Sequence, residues 1–238
     1  MLKVENINTY YGDSHILQDV SLEVHLGEIV VLLGRNGVGK TTTLKSIMGI
    51  EPPKTGKILY KGEEITGNQP YQNVQKGLAI IPEDRRIIPN LTVEENLKLG
   101  ILHKKKKLNV AERFDMVYQY FPKLKLRVNQ MGESLSGGEQ QMLTIARAMV
   151  SKPDLMMIDE PTEGLAPLIV EEIGEILRRL QRDGATILLV EQNYQVSLSL
   201  SDNLRAYILE KGQIKLSGTS EELHACQDEV ERCLGVKL

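Results

Sequence analysis

A glycine-rich segment directly after a short apolar run constrains the fold of this chain more than any other sequence feature. The run Ile29–Leu33 has the length and unbroken apolar character of a strand buried on both faces of a parallel sheet. The next segment fits the pattern G-x-x-x-x-G-K-[ST] and consists of Gly34, Arg35, Asn36, Gly37, Val38, Gly39, Lys40 and Thr41. Residues 41–48 then begin a helix. A strand, a glycine loop and a helix N-terminus in this order surround an anion with backbone N–H groups, so we predict an α/β fold with a nucleoside-triphosphate site.

The side chains of this phosphate loop (residues 34–41) suit a magnesium-bound triphosphate. Lys40 supplies a point charge to the β- and γ-phosphates, and the hydroxyl of Thr41 is a ligand for Mg²⁺. We also count Thr42, the next residue of the helix, among the nucleotide-binding residues. The N-K-x-D pattern that reads guanine is absent from the sequence, which favours ATP over GTP.

A second apolar strand ends in two carboxylates. Residues 155–158 are four apolar residues, and Asp159 and Glu160 follow them. Parallel sheets bind ligands at the carboxyl ends of their strands, which is where this acid pair would lie. An acid pair in this position is also common as a helix cap. Beside a phosphate loop, however, we expect Asp159 to hold Mg²⁺ and Glu160 to orient or deprotonate the attacking water, so we predict hydrolysis as well as binding.

Composition excludes several other classes of function. The chain has 29 basic and 32 acidic residues, a net charge of −3, so no overall positive field attracts nucleic acid. Aromatic residues make up 4%, with no Trp, which argues against a protein that stacks single-stranded bases. No apolar run approaches the roughly 18 residues of a membrane span, and the polar N-terminus predicts no secretory signal. The two cysteines, Cys226 and Cys233, indicate a reducing compartment, and we predict them as buried thiols on one helix face.

The order of predicted elements indicates a single domain over residues 1–238 with an insertion. Strands alternate with helices over residues 1–88 and 151–238, whereas residues 89–150 are predicted to be helical. A hydroxyl followed three residues later by a carboxylate predicts helix starts at Thr92 and Thr219. The four-lysine run at residues 104–107 is predicted to be a solvated helix end or loop rather than a binding site for an anionic partner.

The segment Leu-Ser-Gly-Gly-Glu-Gln at residues 135–140 narrows the fold class to one family. A helix N-cap by Ser136 explains part of this pattern, but it does not explain all six residues. The segment resembles the signature motif of ATP-binding-cassette (ABC) ATPases, and it precedes the acid pair at the spacing of that family. The resemblance implies a P-loop NTPase core of the RecA type, an antiparallel β subdomain and an inserted α-helical subdomain.

The same resemblance implies further site residues. Ser136, Gly137 and Gly138 would bind the γ-phosphate of an ATP held by a second subunit, so that only a dimer completes a site. Tyr11 resembles the aromatic residue that stacks on adenine, with Tyr10 as its competitor and simple packing at a sheet edge as the other explanation. Residues 164–166 resemble the loop that meets the partner subunit.

Two positions depart from the common family pattern. Glu83 stands where a Gln usually follows a core strand, and it could bind Mg²⁺ through water or cap the next segment. Gln192 stands where a His is usual. Its amide can still donate a hydrogen bond to the γ-phosphate, but it cannot carry a positive charge near neutral pH. We therefore count Gln192 with Glu160 and Lys40 as the catalytic residues.

These departures, at residues 82–86 and 190–193, together with residues 135–142, resemble the LivF-type ATP-binding subunits of branched-chain amino acid importers. The resemblance implies a related second ATPase subunit, a transmembrane permease, and an indirect link to a periplasmic or extracellular substrate-binding protein. Residues 84–89, between the predicted magnesium edge and the helical subdomain, are the candidate contact with the permease. It places the chain peripherally on the cytoplasmic side of the membrane. A urea or short-amide importer, a soluble cassette acting on nucleic acid or ribosomes, and a plain nucleotide kinase are the alternatives.

Overall fold

The computed structural model describes residues 1–102, 109–198 and 204–235. The strands in these ranges are β1 (Leu2–Tyr11), β2 (Ser14–Val24), β3 (Ile29–Leu33), β4 (Thr55–Tyr60), β5 (Glu63–Glu64), β6 (Leu78–Ile81), β7 (Leu155–Asp159), β8 (Ile187–Glu191), β9 (Arg205–Glu210) and β10 (Gln213–Thr219). The helices are α1 (Lys40–Met48), α2 (Pro70–Lys76), α3 (Val93–Leu99), α4 (Val110–Tyr120), α5 (Pro122–Leu126), α6 (Gly137–Val150), α7 (Pro167–Arg182), α8 (Tyr194–Leu198), α9 (Ser220–Ala225) and α10 (Gln227–Leu234).

The strands form two sheets. One has six strands in the order β10-β9-β3-β8-β7-β6, in which the strands from β9 to β6 are parallel and β10 is antiparallel to β9. The other has four antiparallel strands in the order β2-β1-β4-β5. Helices α3 to α6 lie between β6 and β7 along the chain. The α/β class with an antiparallel sheet is therefore confirmed, while the division at residues 89–150 stays a prediction.

The central strands are buried on both faces because every side chain in them is apolar up to the last residue. In β3, Ile29, Val31 and Leu33 pack into one core cluster with helices α3, α4, α6 and α7. Val30 and Leu32 point to the opposite face, into a cluster shared with β1, β2 and α1. The six-stranded sheet thus separates two cores, as the period of two along a strand requires. Because these strands are buried along their whole length, their ends are fixed relative to one another in the sheet.

Local signals set most helix boundaries. Thr92, Ser136 and Thr219 each cap a helix by accepting from the backbone N–H three residues on, and the Glu at that position bonds back to the cap. The apolar stripe of α7 is buried at Ile173, Ile176, Leu177 and Leu180. Strands β9 and β10 form a hairpin that turns at Lys211 and Gly212. The helix starts predicted at Thr92 and Thr219 are confirmed.

Three points of the sequence analysis need correction or lie outside the described residues. The sequence analysis did not predict α2, which begins at Pro70, where proline fits the first helical turn and the side chains of Gln69 and Gln72 make a capping box. The prediction for the cysteines is wrong, because α9 ends before Cys226, which is exposed, and Cys233 is half-buried in α10. The lysine run at 104–107 is outside the described residues. In residues 1–102, 109–198 and 204–235, no helix has both the length and the apolar composition of a membrane span.

Two Lys-Gly turns provide a matched test of packing. Lys61 and Gly62 have φ values of 52° and 81°, and Lys211 and Gly212 have 48° and 80°. A Cβ on Gly62 would meet nothing within 4 Å, whereas a Cβ on Gly212 would lie 2.1 Å from the carbonyl oxygen of Ile16 in β2. Both turns therefore have the same left-handed backbone conformation, but an added methyl group would clash only at Gly212.

We expect Gly62→Ala to lower the free energy of unfolding by about 1 kcal/mol, from left-handed backbone strain alone. Gly212→Ala should cost about 1–3 kcal/mol more, because the new methyl group displaces β2. Urea denaturation of the two variants measures the difference. Equal losses would contradict this account of how the hairpin packs on the antiparallel sheet.

Candidate nucleotide site at the edge of the parallel sheet

The phosphate loop connects the end of β3 to the first residue of α1. Gly39 caps this helix with φ 113°, a conformation that L side chains rarely adopt. The Nζ of Lys40 donates to the carbonyl oxygens of Gly34 at 2.8 Å and Arg35 at 3.1 Å, which folds the loop around the amine. The loop therefore holds its own lysine at the N-terminus of a helix, where backbone N–H groups and the helix dipole favour an anion.

Lys40 also contacts the acid pair at the end of β7. Its Nζ lies 2.9 Å from Oε1 of Glu160, and the two side chains are 3% and 7% exposed. Glu160 has a φ of 43°, so the chain turns sharply directly after β7. The sharp turn and the ion pair fix the Glu160 carboxylate beside the phosphate loop.

Asp159 and Thr41 form the second contact between these segments. The Thr41 hydroxyl donates to Oδ1 of Asp159 at 3.2 Å. Burial raises the pKa of Asp159 to about 6; the Thr41 hydrogen bond and Lys40 oppose this, while the charges of Glu160 and Glu83 add to it. The Glu83 carboxylate therefore faces the same point from the end of β6.

The donor set fits Mg²⁺. Hydroxyl and carboxylate oxygens are the ligands of a hard cation, and Mg²⁺ is usually held by one or two protein groups together with phosphates and water. Among the described residues, no three His, Cys, Asp or Glu side chains are arranged as a metal cage. Thr41, Asp159 and Glu83 thus suit a magnesium ion that arrives with a phosphate chain better than an ion bound by protein alone.

Glu163 belongs to the same cluster, and the sequence analysis missed it. The pKa of Glu163 is raised to about 7, chiefly by loss of solvation. Hydrogen bonds from Glu163 to the side chains of Glu160 and Glu83, and the negative charges of those two side chains, raise it further. Its position in the loop of residues 161–166 carries no motif that marks it, because the expected partner-facing residues were 164–166. Glu83, Glu160, Glu163 and Asp159 therefore form one acidic cluster, which Lys40 contacts through Glu160.

A cavity of about 310 Å³ lies over these groups. Its lining brings together most of the predicted nucleotide-binding residues. It is lined by Tyr11, Ile16, Asn36, Gly37, Gly39, Lys40, Thr41, Thr42, Glu83, Glu160 and Glu163. Gly34, Arg35 and Val38 lie in the loop but outside this lining.

The two candidate tyrosines have different surroundings. Tyr11 is 39% exposed and lines the cavity. The ring of Tyr10 stacks on the ring of His15, with the two centroids 4.1 Å apart. The Nζ of Lys54 lies 4.2 Å from the centroid of the Tyr10 ring. The ring of Tyr10 is thus already in use, whereas the Tyr11 ring is available to a ligand.

The predicted signature residues occupy a separate part of the surface. The Ser136 hydroxyl donates to Oε2 of Glu139 at 2.9 Å and accepts from the Glu139 backbone N–H at 3.3 Å. Glu139 is paired in turn with Arg127 at 2.6 Å, a contact that no sequence signal indicated. Gly138 is buried, and a Cβ there would lie 2.7 Å from a methyl group of Ile169 in α7. In the described ranges, Ser136, Gly137 and Gly138 do not line the phosphate-loop cavity.

Gln192 lies directly after β8 with an exposed side chain, and it does not line the cavity either. The residue before it, Glu191, is 3% exposed. Glu191 accepts from the Thr162 hydroxyl at 2.8 Å and from the Gln192 backbone N–H at 3.2 Å. Burial raises the pKa of Glu191 to about 7 against these hydrogen bonds. Sequence reasoning did not single out this buried acid.

The segment after Glu83 is fixed on α6. Arg85 and Arg86 have φ values of 58° and 46°, and their carbonyl oxygens accept from Arg147 at 3.1 and 2.7 Å. The Thr144 hydroxyl donates to the Arg85 carbonyl at 2.9 Å. A groove of about 330 Å³ runs beside it, lined by Arg86 and Arg147 among mostly apolar residues. The sequence pointed to this segment, although not to Arg147.

Comparison with known proteins identifies the family. The ABC transporter family model matches residues 17–163. The chain is 46% identical to the high-affinity branched-chain amino acid transport ATP-binding protein BraG of Pseudomonas aeruginosa over 94% of each chain. It is 39% identical over 99% of each chain to the probable branched-chain amino acid transport ATP-binding protein LivF of Archaeoglobus fulgidus. It is also 35% identical to the lipopolysaccharide export ATP-binding protein LptB of Haemophilus influenzae, over 94% of this chain and 92% of LptB.

Solved structures show the same fold. The ADP conformation of MJ1267, an ATP-binding cassette of an ABC transporter, has a TM-score of 0.87 and 26% identity, covering 99% of this chain and 97% of that one. The dimeric post-hydrolysis state of the cassette MJ0796, bound to ADP and Pi, has a TM-score of 0.80 and 26% identity, covering 92% of this chain and 98% of that one.

The tyrosine geometry predicts unequal effects on nucleotide binding. Tyr11→Ala should weaken ATP binding about tenfold, since stacking on a base contributes about 1–3 kcal/mol, whereas Tyr11→Phe should bind like the parent. Tyr10→Ala is the matched control and should leave the affinity within about twofold, because its ring stacks on His15. Calorimetric titration with Mg²⁺ and a non-hydrolysable ATP analogue measures the dissociation constants. A larger loss for Tyr10→Ala would reverse the assignment.

Proposed function

Because the chain belongs to the ABC transporter ATPase family and is an ATP hydrolase coupled to transport, we propose that it is the motor subunit of a branched-chain amino acid importer. The observation that carries the substrate class is the full-length similarity to BraG and LivF, at 46% and 39% identity. LptB, at 35%, is named for a different cargo. The alternative is a urea or short-amide importer, and uptake measurements distinguish it from a branched-chain amino acid importer.

We assign nucleotide binding to the cavity over the phosphate loop. The backbone N–H groups of the loop and the ammonium of Lys40 would hold the β- and γ-phosphates, and the ring of Tyr11 would stack on adenine. Thr41, Asp159 and Glu83 would hold Mg²⁺. When bound, this ion neutralises charge on the phosphates. The contact between Thr41 and Asp159 at 3.2 Å supports the assignment because it joins the two predicted ligands.

We assign activation of water to Glu160. Arrival of the triphosphate lets Lys40 exchange this carboxylate for phosphate oxygens, which frees Glu160 to accept a proton. The water oxygen then bonds to the γ-phosphorus, the bond from that phosphorus to the β–γ bridging oxygen breaks, and ADP leaves with its electron pair. Gln192 would donate a hydrogen bond to the γ-phosphate. The 2.9 Å separation of Lys40 and Glu160 supports this exchange.

We also propose that a second cassette completes each site. Ser136, Gly137 and Gly138 lie outside the phosphate-loop cavity of their own chain, so they are free to serve the nucleotide of a partner. The cassette MJ0796 is dimeric in its ADP-bound and Pi-bound state, which supports this arrangement. By similarity to the LivF type, the partner would be a related but different subunit.

The membrane partner would contact residues 84–89. The groove beside them, with Arg86 and Arg147 among apolar side chains, suits an amphipathic segment of a transmembrane permease. This contact would hold the chain peripherally on the cytoplasmic side of the membrane. The substrate-binding protein would act through the permease and not through this chain. We propose no nucleic-acid partner, in keeping with the net charge of −3.

The roles of Lys40 and Glu160 can be separated experimentally. Glu160→Gln should bind ATP with Mg²⁺ normally, hydrolyse it at least about a hundredfold more slowly, and accumulate as a closed dimer, because the amide cannot accept the proton. Lys40→Ala should lose ATP affinity itself. Phosphate-release assays and size-exclusion chromatography with ATP report the two effects. Hydrolysis by Glu160→Gln at the parent rate would show that another group activates the water.

Uptake measurements test the substrate. Cells lacking this chain should fail to accumulate leucine, isoleucine and valine, and the parent gene should restore uptake while the Lys40→Ala gene should not. Urea, a short amide, a polar amino acid and a sugar complete the panel. Loss of urea or amide uptake would move the motor to that importer, and unchanged uptake of every compound would contradict an import function.

A further inference from the structure

We propose that Glu191 is a positioning residue that ties the 161–166 loop to the segment carrying Gln192, so that both are set by one buried side chain. The inference rests on the proposed function insofar as it takes Gln192 and this loop as parts of the hydrolytic site. Glu191 is a deeply buried acid near that site, and neither nucleotide binding nor proton transfer requires it.

The place of Glu191 in the sheet is central. It is the last residue of β8, and it pairs in register with Leu33 of β3, directly before the phosphate loop. On the other side of β8, Val190 pairs with Asp159 of β7. Glu191 therefore lies between the strand that supplies the phosphate loop and the strand that supplies the acid pair.

Each oxygen of the carboxylate binds a different segment. Oε1 accepts from the Thr162 hydroxyl at 2.8 Å, and Thr162 is two residues after Glu160. Oε2 accepts from the backbone N–H of Gln192 at 3.2 Å. Thr162, Leu165 and Asn193 line one groove of about 580 Å³, so the two segments lie side by side beyond this contact.

The energetics favour a role in positioning over a role in stability. Burying a carboxyl group is unfavourable unless hydrogen bonds compensate, and an apolar side chain of similar size would fill the space without that cost. Among the described residues, the hydrogen-bond and ion-pair partners of Glu191 are a hydroxyl and backbone N–H groups rather than a lysine or arginine. What the acid supplies is a pair of directional contacts between two loops.

This pair of contacts couples two parts of the site. The 161–166 loop is the one expected to face the second subunit, and it begins directly after Glu160. Any displacement of Thr162 is passed through the Glu191 carboxyl to the backbone of Gln192. Closure of the partner on the loop would therefore set the Glu160 and Gln192 sides of the γ-phosphate together.

The test compares ATP hydrolysis by transporter complexes purified through a tag on this chain. Glu191→Leu and Thr162→Val should each lower kcat about tenfold, because each breaks the Thr162–Glu191 hydrogen bond that positions the two segments, with KM for ATP within about twofold. The double variant should be no slower than the slower single variant, because both changes break one connection. Thr162→Val keeps the test valid if Glu191→Leu does not fold.

Two further variants serve as rescue and control. Glu191→Gln should hydrolyse ATP within about twofold of the parent, since its amide can donate to Thr162 and its oxygen can accept from Gln192. Thr186→Val removes a buried hydroxyl that accepts from Gly27 at 3.0 Å, next to the other end of β8, and should leave kcat unchanged.

Parent-like kcat for Glu191→Leu and Thr162→Val, losses that multiply in the double variant, or a Glu191→Gln variant as slow as Glu191→Leu would each overturn the inference. So would an equal loss in Thr186→Val, which would indicate general damage to β8. These outcomes are independent of which compound is transported. They are also independent of Glu160→Gln, whose hydrolysis tests the proposed water-activating residue alone.

Discussion

Parallel, in-register pairing of the central strands is the constraint on which the rest of the structure depends. Leu33 of β3 pairs with Glu191 of β8, and Val190 pairs with Asp159 of β7. Each of these strands is buried along its whole length, so none can shift without exposing apolar side chains or burying polar ones. The phosphate loop, the acid pair and Glu191 therefore emerge at one level of one sheet edge, and their contacts of about 3 Å follow from that register.

Electrostatics at this edge are unbalanced within the chain itself. Asp159, Glu160, Glu83 and Glu163 converge near a single buried amine, that of Lys40. Burial and mutual repulsion raise the pKa values of Asp159 and Glu163 to about 6 and 7. A triphosphate alone would add further negative charge, so a site of this composition favours a nucleotide accompanied by a divalent cation. The acids that disfavour a bare anion are also those suited to hold the cation.

Sequence was sufficient wherever the signal is local. The phosphate loop between β3 and α1, the acids after β7 and the caps at Thr92 and Ser136 depend on neighbours within a few residues, and the structure has these elements where they were predicted. Glu163, Arg147 and Glu191 were missed because each has a partner far along the chain, Glu83, Arg85 and Thr162, at separations of 80, 62 and 29 residues. The cysteine prediction failed because heptad spacing assumes one continuous helix, and the chain ends α9 before Cys226. Long-range packing, rather than motif chemistry, is what the sequence could not supply.

The phosphate-loop cavity and the predicted signature residues of one chain are connected through the start of α7. Its first turns follow the 161–166 loop, and Ile169 packs so closely on Gly138 that even a methyl group would have to displace it. Ser136 is fixed in turn by Glu139, which Arg127 pairs from the end of α5. The loop and the Ile169 contact lie at the same end of α7, so close packing joins the loop after the acid pair to the start of α6 there. Within one chain, the acid pair and the predicted signature residues are thus separated by one loop, one turn of α7 and one close contact.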